Sequence, residues 1–426
     1  METFFIGLFL ALLALLGAPL FVIIGAIALL AFGSVGIDSS AVAVELYRIA
    51  SNASLVAIPL FTFAGYMLAE SKTPVRLVNL ARALIGSIPG GLAIVALVTC
   101  ALFTAFTGAS GVTIVALGGL LYPMLVKENY PERFSLGLIT TSGSLGLLFP
   151  PSLPLILYAV VTKVNIDKLF AAGIIPGILL VAILSLHGVR QGRKAAVTKT
   201  PFVWANAFRA LREAAWELPL PVIIIGGIYS GFFTATEAAA VTAFYVFVIE
   251  VFIYRDLKLF SDVPRVMRES MLLVGAIMMI LGTAFGLTSY LIDEEVPMKL
   301  FAFTQQFISS PIVFLIVLNL FLLIVGMMMD IFSATIVVVP IITPIAIAYG
   351  IDPVHLGIIF LTNLEIGYLS PPVGLNLFIS SLRFGKPVFT VVRATLPFIG
   401  ILLVALLIIT YVPELSLWLV RILGIE

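Results

Sequence analysis

Apolar residues in this chain fall in long continuous runs separated by short polar stretches, not at alternate positions. Continuous runs of about 20 residues predict helices that span a bilayer, whereas membrane strands alternate every second residue. Two of these runs are interrupted in the same way. Residues 134–161 are broken by Gly143-Ser-Leu-Gly-Leu-Leu-Phe-Pro-Pro-Ser152, and residues 353–382 by Ile366-Gly-Tyr-Leu-Ser-Pro-Pro-Val373. A Pro-Pro pair lacks the N–H groups of a helix and clashes with the preceding turn. Each run is therefore expected to be two half-helices joined by unwound backbone. Unpaired carbonyls at membrane depth persist only where protein or a wet cavity surrounds them.

Two further pairs of runs are too short to cross. Residues 91–106 and 111–126 make arms of about 23 Å at 1.5 Å per residue, short of a hydrocarbon core of about 30 Å. Between them lies Phe106-Thr-Gly-Ala-Ser-Gly111, small and uncharged. A re-entrant hairpin over residues 91–126 with a polar tip at mid-membrane fits this pattern. Residues 311–326 and 333–348 repeat it over 311–348, with Met327-Met-Met-Asp-Ile-Phe332 at the tip.

The rest of the chain fills in around these four elements. Residues 4–33, with Gly17-Ala-Pro19 in the middle, predict two short helices, and 37–51 a polar connection. Residues 54–68, 169–186, 272–291 and 395–412 predict spans. Residues 72–88 and 255–269 are basic and are expected at the membrane surface. Residues 218–254 predict two short helices meeting at Gly231-Phe-Phe-Thr-Ala-Thr-Glu237, where Thr234, Thr236 and Glu237 read as a helix cap.

The two breaks share the spacing Gly-x-x-x-Pro-Pro, with Gly146/Pro150/Pro151 recurring as Gly367/Pro371/Pro372, an offset close to half the chain. In nearly the same register, Thr113-Ile-Val115 and Pro123 answer Thr335-Ile-Val337 and Pro344; Pro89 answers Pro311, and Gly65 answers Gly286. One register for so many turn residues predicts a duplication: a first copy over 1–189, a connecting segment over 190–217 and a second copy over 218–426.

Composition agrees with a membrane protein. Hydrophobic residues make up 62%, charged residues 11%, and mean hydropathy is +1.22, against about 25% charged in soluble domains. Net charge is +1, which offers nothing to nucleic acid. Cys100 stands alone, and His187 and His355 have no ligand partners at metal spacing. No His-Glu-x-x-His pattern or facing pair of aspartates marks an enzyme. The start, Met-Glu-Thr, lacks the basic region and cleavage site of a signal peptide.

Charge also orients the chain. If the arms re-emerge where they enter, eighteen Lys and Arg residues fall on one side and five on the other. That bias makes the basic side cytoplasmic and puts both termini outside. Five crossings then separate equivalent points of the two copies, so the second is inverted. This predicts an all-α integral membrane protein: an inverted-repeat secondary transporter with two re-entrant helical hairpins and two broken helices.

Such breaks suit a hard cation that favours oxygen ligands. Carbonyls of Gly146–Pro151 with the hydroxyls of Thr107 and Ser110 form one candidate Na⁺ set. Gly367, Ser370 and Val373 with the Gly326 carbonyl form the other. Each small residue serves equally for close helix packing. Half-helix N-termini aimed at the centre suit a carboxylate substrate. Asp330, an acid in a predicted tip, is a candidate substrate or cation contact, or a cap on the second arm. Glu365, with Thr362 and Asn363, is a candidate for the same cavity or for structural hydrogen bonding. Met327–Met329 reads as adaptable packing.

Four motifs carry a resemblance: Thr107-Gly-Ala-Ser-Gly-Val-Thr113, Gly146-Leu-Leu-Phe-Pro-Pro-Ser152, Gly231-Phe-Phe-Thr-Ala-Thr-Glu-Ala-Ala-Ala240 and Gly367-Tyr-Leu-Ser-Pro-Pro-Val-Gly374. Across nearly its whole length the chain resembles the large membrane subunit of tripartite ATP-independent periplasmic (TRAP) transporters, the DctM-like family. The resemblance implies a sodium-coupled, elevator-type importer of organic acids such as C4-dicarboxylates or sialic acids in the bacterial inner membrane. It implies two partners, a small four-helix membrane subunit and a periplasmic substrate-binding protein, and no organic cofactor. It places sodium contacts at Thr107, Gly146, Phe149 and Pro151, and at Gly326, Gly367, Ser370 and Val373, and it aligns Asp330 with a tip acid that handles substrate. The family tip often reads Ser-Gly-Ser-Ser; here Thr107 replaces the first Ser and Ala109 the third. The alternative is a self-sufficient sodium–carboxylate symporter of related inverted-hairpin design.

Overall fold

The computed structural model describes residues 7–425 except 11, 14–15, 39, 89 and 196–201. Among these residues every regular element is helical. Helical residues at 7–10 and 12–13 precede a turn at Leu16 and Gly17, where Gly17 has a positive φ. The first copy continues with α1 (Leu20–Ser34), α2 (Ser40–Ala50), α3 (Ala57–Glu70) and α4 (Thr73–Ile85). The first hairpin is α5 (Gly91–Thr107) folded back on α6 (Ser110–Ala116) and α7 (Gly118–Lys127). The first broken helix is α8 (Glu132–Ser142), a 3₁₀ turn (Leu145–Leu148) and α9 (Leu153–Thr162), followed by the long α10 (Ile166–Lys194). After α11 (Trp204–Glu213) the second copy runs α12 (Pro219–Tyr229), α13 (Ala235–Ile253), α14 (Asp262–Asp293) and α15 (Val296–Phe307). Its hairpin is α16 (Pro311–Met328) and α17 (Ile331–Ala348), and its broken helix is α18 (Pro353–Gly367) and α19 (Leu375–Phe384). Helices α20 (Val388–Tyr411) and α21 (Glu414–Ile422) close the chain.

Packing between the copies is reciprocal. Helix α1 packs on α14 and α13 on α3; α6 packs on α19 and α17 on α9; α8 packs on α20 and α18 on α10. Each contact has a mate in which the copies exchange roles, as a two-fold relation requires. The hairpins and broken helices thus interlock at the centre of one continuous apolar core.

Several boundaries differ from the pattern-based reading. Residues 37–51 are not a plain connection: Ser40–Ala50 is a helix, and Asn52 caps the turn after it by accepting from Ser54 N at 3.0 Å. Residues 262–269 are the first turns of the 32-residue α14 rather than a surface segment. In both places polar side chains on the first turns of a helix mask its start. Helices α15 and α21 have no counterpart in the pattern-based reading, and 190–217 is not simply a linker, since α10 extends to Lys194 and α11 occupies its second half. Pro89 lies outside the described residues.

The basic helix α4 also departs from expectation, because Arg76 turns inward. Its guanidinium meets Glu217, Glu250 at 3.2 Å and Asp256 at 2.5 Å, and lies 3.8 Å from the centre of the Tyr254 ring. The three carboxylates are 0–6% exposed and Arg76 is 11% exposed. Removing Arg76 would leave three buried carboxylates without the cation they share, and breaking a buried pair in this way typically costs about 3–5 kcal/mol. The cluster ties α4 of the first copy to the start and the α13 end of the second.

Candidate functional site

The first break is sealed against the first hairpin by absent side chains. A Cβ on Gly146 would lie 2.5 Å from the Ala105 nitrogen and would collide with the Ala101 carbonyl; one on Gly173 would strike the Leu148 carbonyl. Close backbone approach of this kind is available only to glycine. The Thr104 hydroxyl joins the two arms to the break: it lies 2.7 Å from the Thr113 hydroxyl and donates to the Gly143 carbonyl at 2.9 Å. Between α8 and α9 the chain leaves α-helical geometry, passing through the 3₁₀ turn Leu145–Leu148 and the cis Pro150–Pro151 bond to Ser152, and nearly all of it is buried.

Gly108 makes the tip of the first hairpin, with φ +64° letting the chain reverse within a very short turn. The break in this hairpin is thus shorter than residues 106–111. Thr107 ends α5 and is fully buried. Among the described residues its hydroxyl has no hydrogen-bond partner, nor do those of Thr141 and Ser152, which flank the break. Ser110 is engaged instead: its Oγ donates to Asn376 Oδ1 at 2.7 Å. Phe149 is half-buried against Gly177, and Pro151 is buried.

The second break seals in the same way. A Cβ on Gly367 would lie 2.5 Å from the Gly326 Cα, so α16 and α18 touch backbone to backbone. At its far end Gly374 N donates to the Met327 carbonyl at 3.2 Å. The Ser370 hydroxyl donates to the Ile366 carbonyl, which leaves its lone pairs available. Pro371, Pro372 and Val373 are exposed, Val373 to 45%.

Asp330 sits at the N-cap of α17. Its carboxylate accepts from Phe332 N at 2.9 Å, from Ser333 N at 3.0 Å and from the Ser333 hydroxyl, and it faces the exterior. Asn363 is buried in a polar relay: its Nδ2 donates to Asn319 Oδ1 at 2.7 Å, and Asn319 Nδ2 donates to Thr410 Oγ1 at 3.2 Å. Glu365 is 1% exposed, and neither carboxyl oxygen has a partner among the described residues. Its side chain and that of Asn363 do not reach solvent, whereas Asp330 does.

The pattern-based reading does not single out Tyr368 or Asn376, which join the two tips. The Tyr368 hydroxyl accepts from Ile331 N at 2.6 Å, capping the second hairpin arm from the break. Asn376 N donates to the Tyr368 carbonyl at 3.1 Å, and the Asn376 side chain reaches Ser110 of the first tip and the Thr140 carbonyl. Asn376 is the one amide in a half-helix of otherwise hydroxyl, basic and apolar residues, and that is its only signal in sequence. Thr234 and Glu237 form the expected reciprocal cap of α13. Among the described residues no group of three His, Cys, Asp or Glu could hold a metal ion.

The family model "Tripartite ATP-independent periplasmic transporter, DctM component" matches residues 6–415. The chain belongs to this family. The "C4-dicarboxylate TRAP transporter large permease protein DctM" of Pseudomonas aeruginosa is 40% identical over 403 residues, covering 94% of both chains. The "Isethionate TRAP transporter permease protein DctMQ" of Oleidesulfovibrio alaskensis is 35% identical over 418 residues, 96% of this chain and 65% of that longer protein. A crystal structure of the Alcanivorax borkumensis YdaH transporter shares the fold, with a TM-score of 0.60 over 84% of each chain at 13% identity. This DctM chain is therefore a multi-pass transporter permease and not an enzyme. Membership of a tripartite family implies that it works with a substrate-binding protein and a small membrane subunit.

Proposed function

We propose that this DctM chain carries a carboxylate-bearing organic acid across the inner membrane, driven by sodium, as the large subunit of a three-component importer. What carries the reading is the paired construction at the centre: two helix breaks at matching positions of the two copies, each pressed onto a hairpin through a glycine that tolerates no side chain. The oxygen chemistry fits Na⁺. The buried hydroxyls of Thr107, Thr141 and Ser152, without partners among the described residues, are costly unless something binds them. Thr107 with backbone oxygens of Gly146, Phe149 and Pro151 would hold one ion, and Gly326, Gly367, Ser370 and Val373 the other. Sodium bound there would supply the gradient-derived driving force and a positive charge favourable to a carboxylate substrate. Ser110 serves by fixing Asn376 rather than as a first choice of ligand.

In this reading the hairpins and broken helices move as one body against a frame of α1–α3 and α12–α14, an elevator. The basic loops face the cytoplasm and both termini the periplasm. The N-terminal end of α19 lies at the second break and suits a substrate carboxylate, whereas the exposed Asp330, whose own carboxylate caps α17, would accept from a substrate hydroxyl. The names of the relatives favour a C4-dicarboxylate, with isethionate, another small organic anion, as a related case.

The test is uptake into proteoliposomes that hold this chain with its small membrane subunit and binding protein, using succinate and a panel of other organic acids. Accumulation is expected only with an inward sodium gradient and only with the binding protein present. Equal uptake in potassium, or full uptake without the binding protein, would count against the proposal.

A further inference from the structure

One cavity of about 310 Å³ has no part in the breaks. It lies where α8 and α20 begin and is lined by Glu132, Arg133, Leu136, Lys386, Thr390 and Arg393. Three cations meet a single carboxylate there, and that carboxylate is already engaged. Glu132 Oε1 accepts from Lys386 Nζ at 2.5 Å and from the Tyr122 hydroxyl at 3.0 Å. Arg133 donates Nε and Nη2 to the Arg393 carbonyl at 3.1 and 2.6 Å, which leaves its Nη1 donors. Arg393 itself is exposed and has no carboxylate within ion-pair distance among the described residues. The neighbouring Arg383 is committed elsewhere, to the Val115 carbonyl at 3.0 Å.

A guanidinium fork without a carboxylate, beside two further cations in a half-enclosed space, matches a planar or tetrahedral oxyanion. The positive ends of α8 and α20 add to the same field. The volume is at the small end of ligand sites, which run from about 300 Å³ upward. We propose that this cavity binds an oxyanion, phosphate or carboxylate, through Arg393, Arg133 and Lys386. Two sources share that chemistry: the headgroup of an anionic phospholipid, and the transported acid after it leaves the centre. The second source rests on the organic-acid reading above. The first does not. Because α8 runs from this cavity to the first break, an anion held here would bind the helix that leads into the proposed ion site.

The experiment follows thermal unfolding of the full chain co-purified with its membrane partner in detergent. Phosphatidylglycerol is compared with phosphatidylcholine, and succinate with chloride at matched ionic strength. At least one of phosphatidylglycerol and succinate should raise the midpoint by about 2 °C or more. Arg393→Gln should abolish that shift and Arg393→Lys should keep less than half of it. Arg421→Gln, which removes an exposed arginine paired with Glu414 at 2.8 Å, should leave it intact. A lipid shift lost in Arg393→Gln assigns the headgroup, and a succinate shift lost there assigns the departing acid. If neither probe moves the wild type, or if the shift survives Arg393→Gln, the cavity is not an anion site. A succinate shift that survives belongs to the central site, so it upholds the organic-acid reading while overturning this one. Should Arg393→Gln fail to fold, Lys386→Gln is read by the same criteria.

Discussion

Ala109 and Asp330 occupy the same place in the two hairpins, each immediately before the second arm. Around them the tips solve one problem in opposite ways. Both second arms begin with N–H groups that have no helical partner. At the second tip Asp330 caps them with its own carboxylate, Tyr368 accepts from Ile331 N, and the tip is open to the exterior. At the first tip Ala109 provides no cap, and the tip is buried and held by a cross-copy bond from Ser110 to Asn376. The first break beside it is buried as well, while the second exposes Pro371 to Val373. The two matching halves thus differ, one closed and neutral at its tip, the other open and charged. On the function proposed above, the closed half, whose Thr107, Thr141 and Ser152 hydroxyls have no partner among the described residues, would hold the cation, and the open half, with the exposed Asp330, would meet the substrate.

This contrast breaks most sharply at the glycines. Gly146→Leu and Gly367→Leu should each abolish uptake, because overpacking against backbone costs about 1–3 kcal/mol or more and prises the break from its hairpin. Near-normal uptake in either variant would show that this contact is dispensable in that half. Asp330 separates two roles. Asp330→Ala removes the cap and should lower stability by about 0.5–2 kcal/mol, read as a fall in the unfolding midpoint. Asp330→Asn keeps capping ability, so its midpoint should stay near wild type while uptake falls at least tenfold. If Asp330→Asn transports normally, the carboxylate is a cap and nothing more.

Smaller effects test the closed half. Thr107→Val removes a buried hydroxyl that has no partner among the described residues, so stability in potassium should be unchanged or slightly higher. The sodium concentration for half-maximal uptake should rise several-fold, and an unchanged sodium dependence would take Thr107 out of the ion site. Ser110→Ala should be milder, about 0.5–1.5 kcal/mol from one lost hydrogen bond to Asn376, measured as a small midpoint shift with sodium dependence retained.

How much of this was legible in the chain itself depended on the kind of signal. The breaks were legible because Gly-x-x-x-Pro-Pro in an apolar run has few other readings; arm length was a weaker guide to the hairpins, since Pro311–Met328 and Ile331–Ala348 are 18 residues each, longer than the pattern predicts and long and apolar enough to span a bilayer. The family was legible from four motifs. Helices α2, α15 and α21 were not, because polar or charged residues on a membrane-flanking helix give the same local pattern as a loop. The Arg76 cluster was hidden by distance: its acids lie 141 to 180 positions away, and pairing at that range leaves no local trace. Asn376 went unnoticed for a related reason, since an isolated amide in a half-helix acquires meaning only when Ser110, 266 positions earlier, is seen beside it. The capping role of Asp330 was visible beforehand, because an acid directly before an apolar helix is a strong N-cap.

Sodium binding to the resting protein, with no substrate present, tests the central claim most directly. The purified chain with its membrane partner is unfolded thermally in sodium and in potassium at equal ionic strength. A ligand at about 100 times its Kd stabilises by about 2.7 kcal/mol, so sodium should raise the midpoint by several degrees over potassium. Thr107→Val should lose part of that difference, and the Gly367→Leu variant a further part. Identical midpoints in the two salts, with the wild type folded and active, would contradict the account.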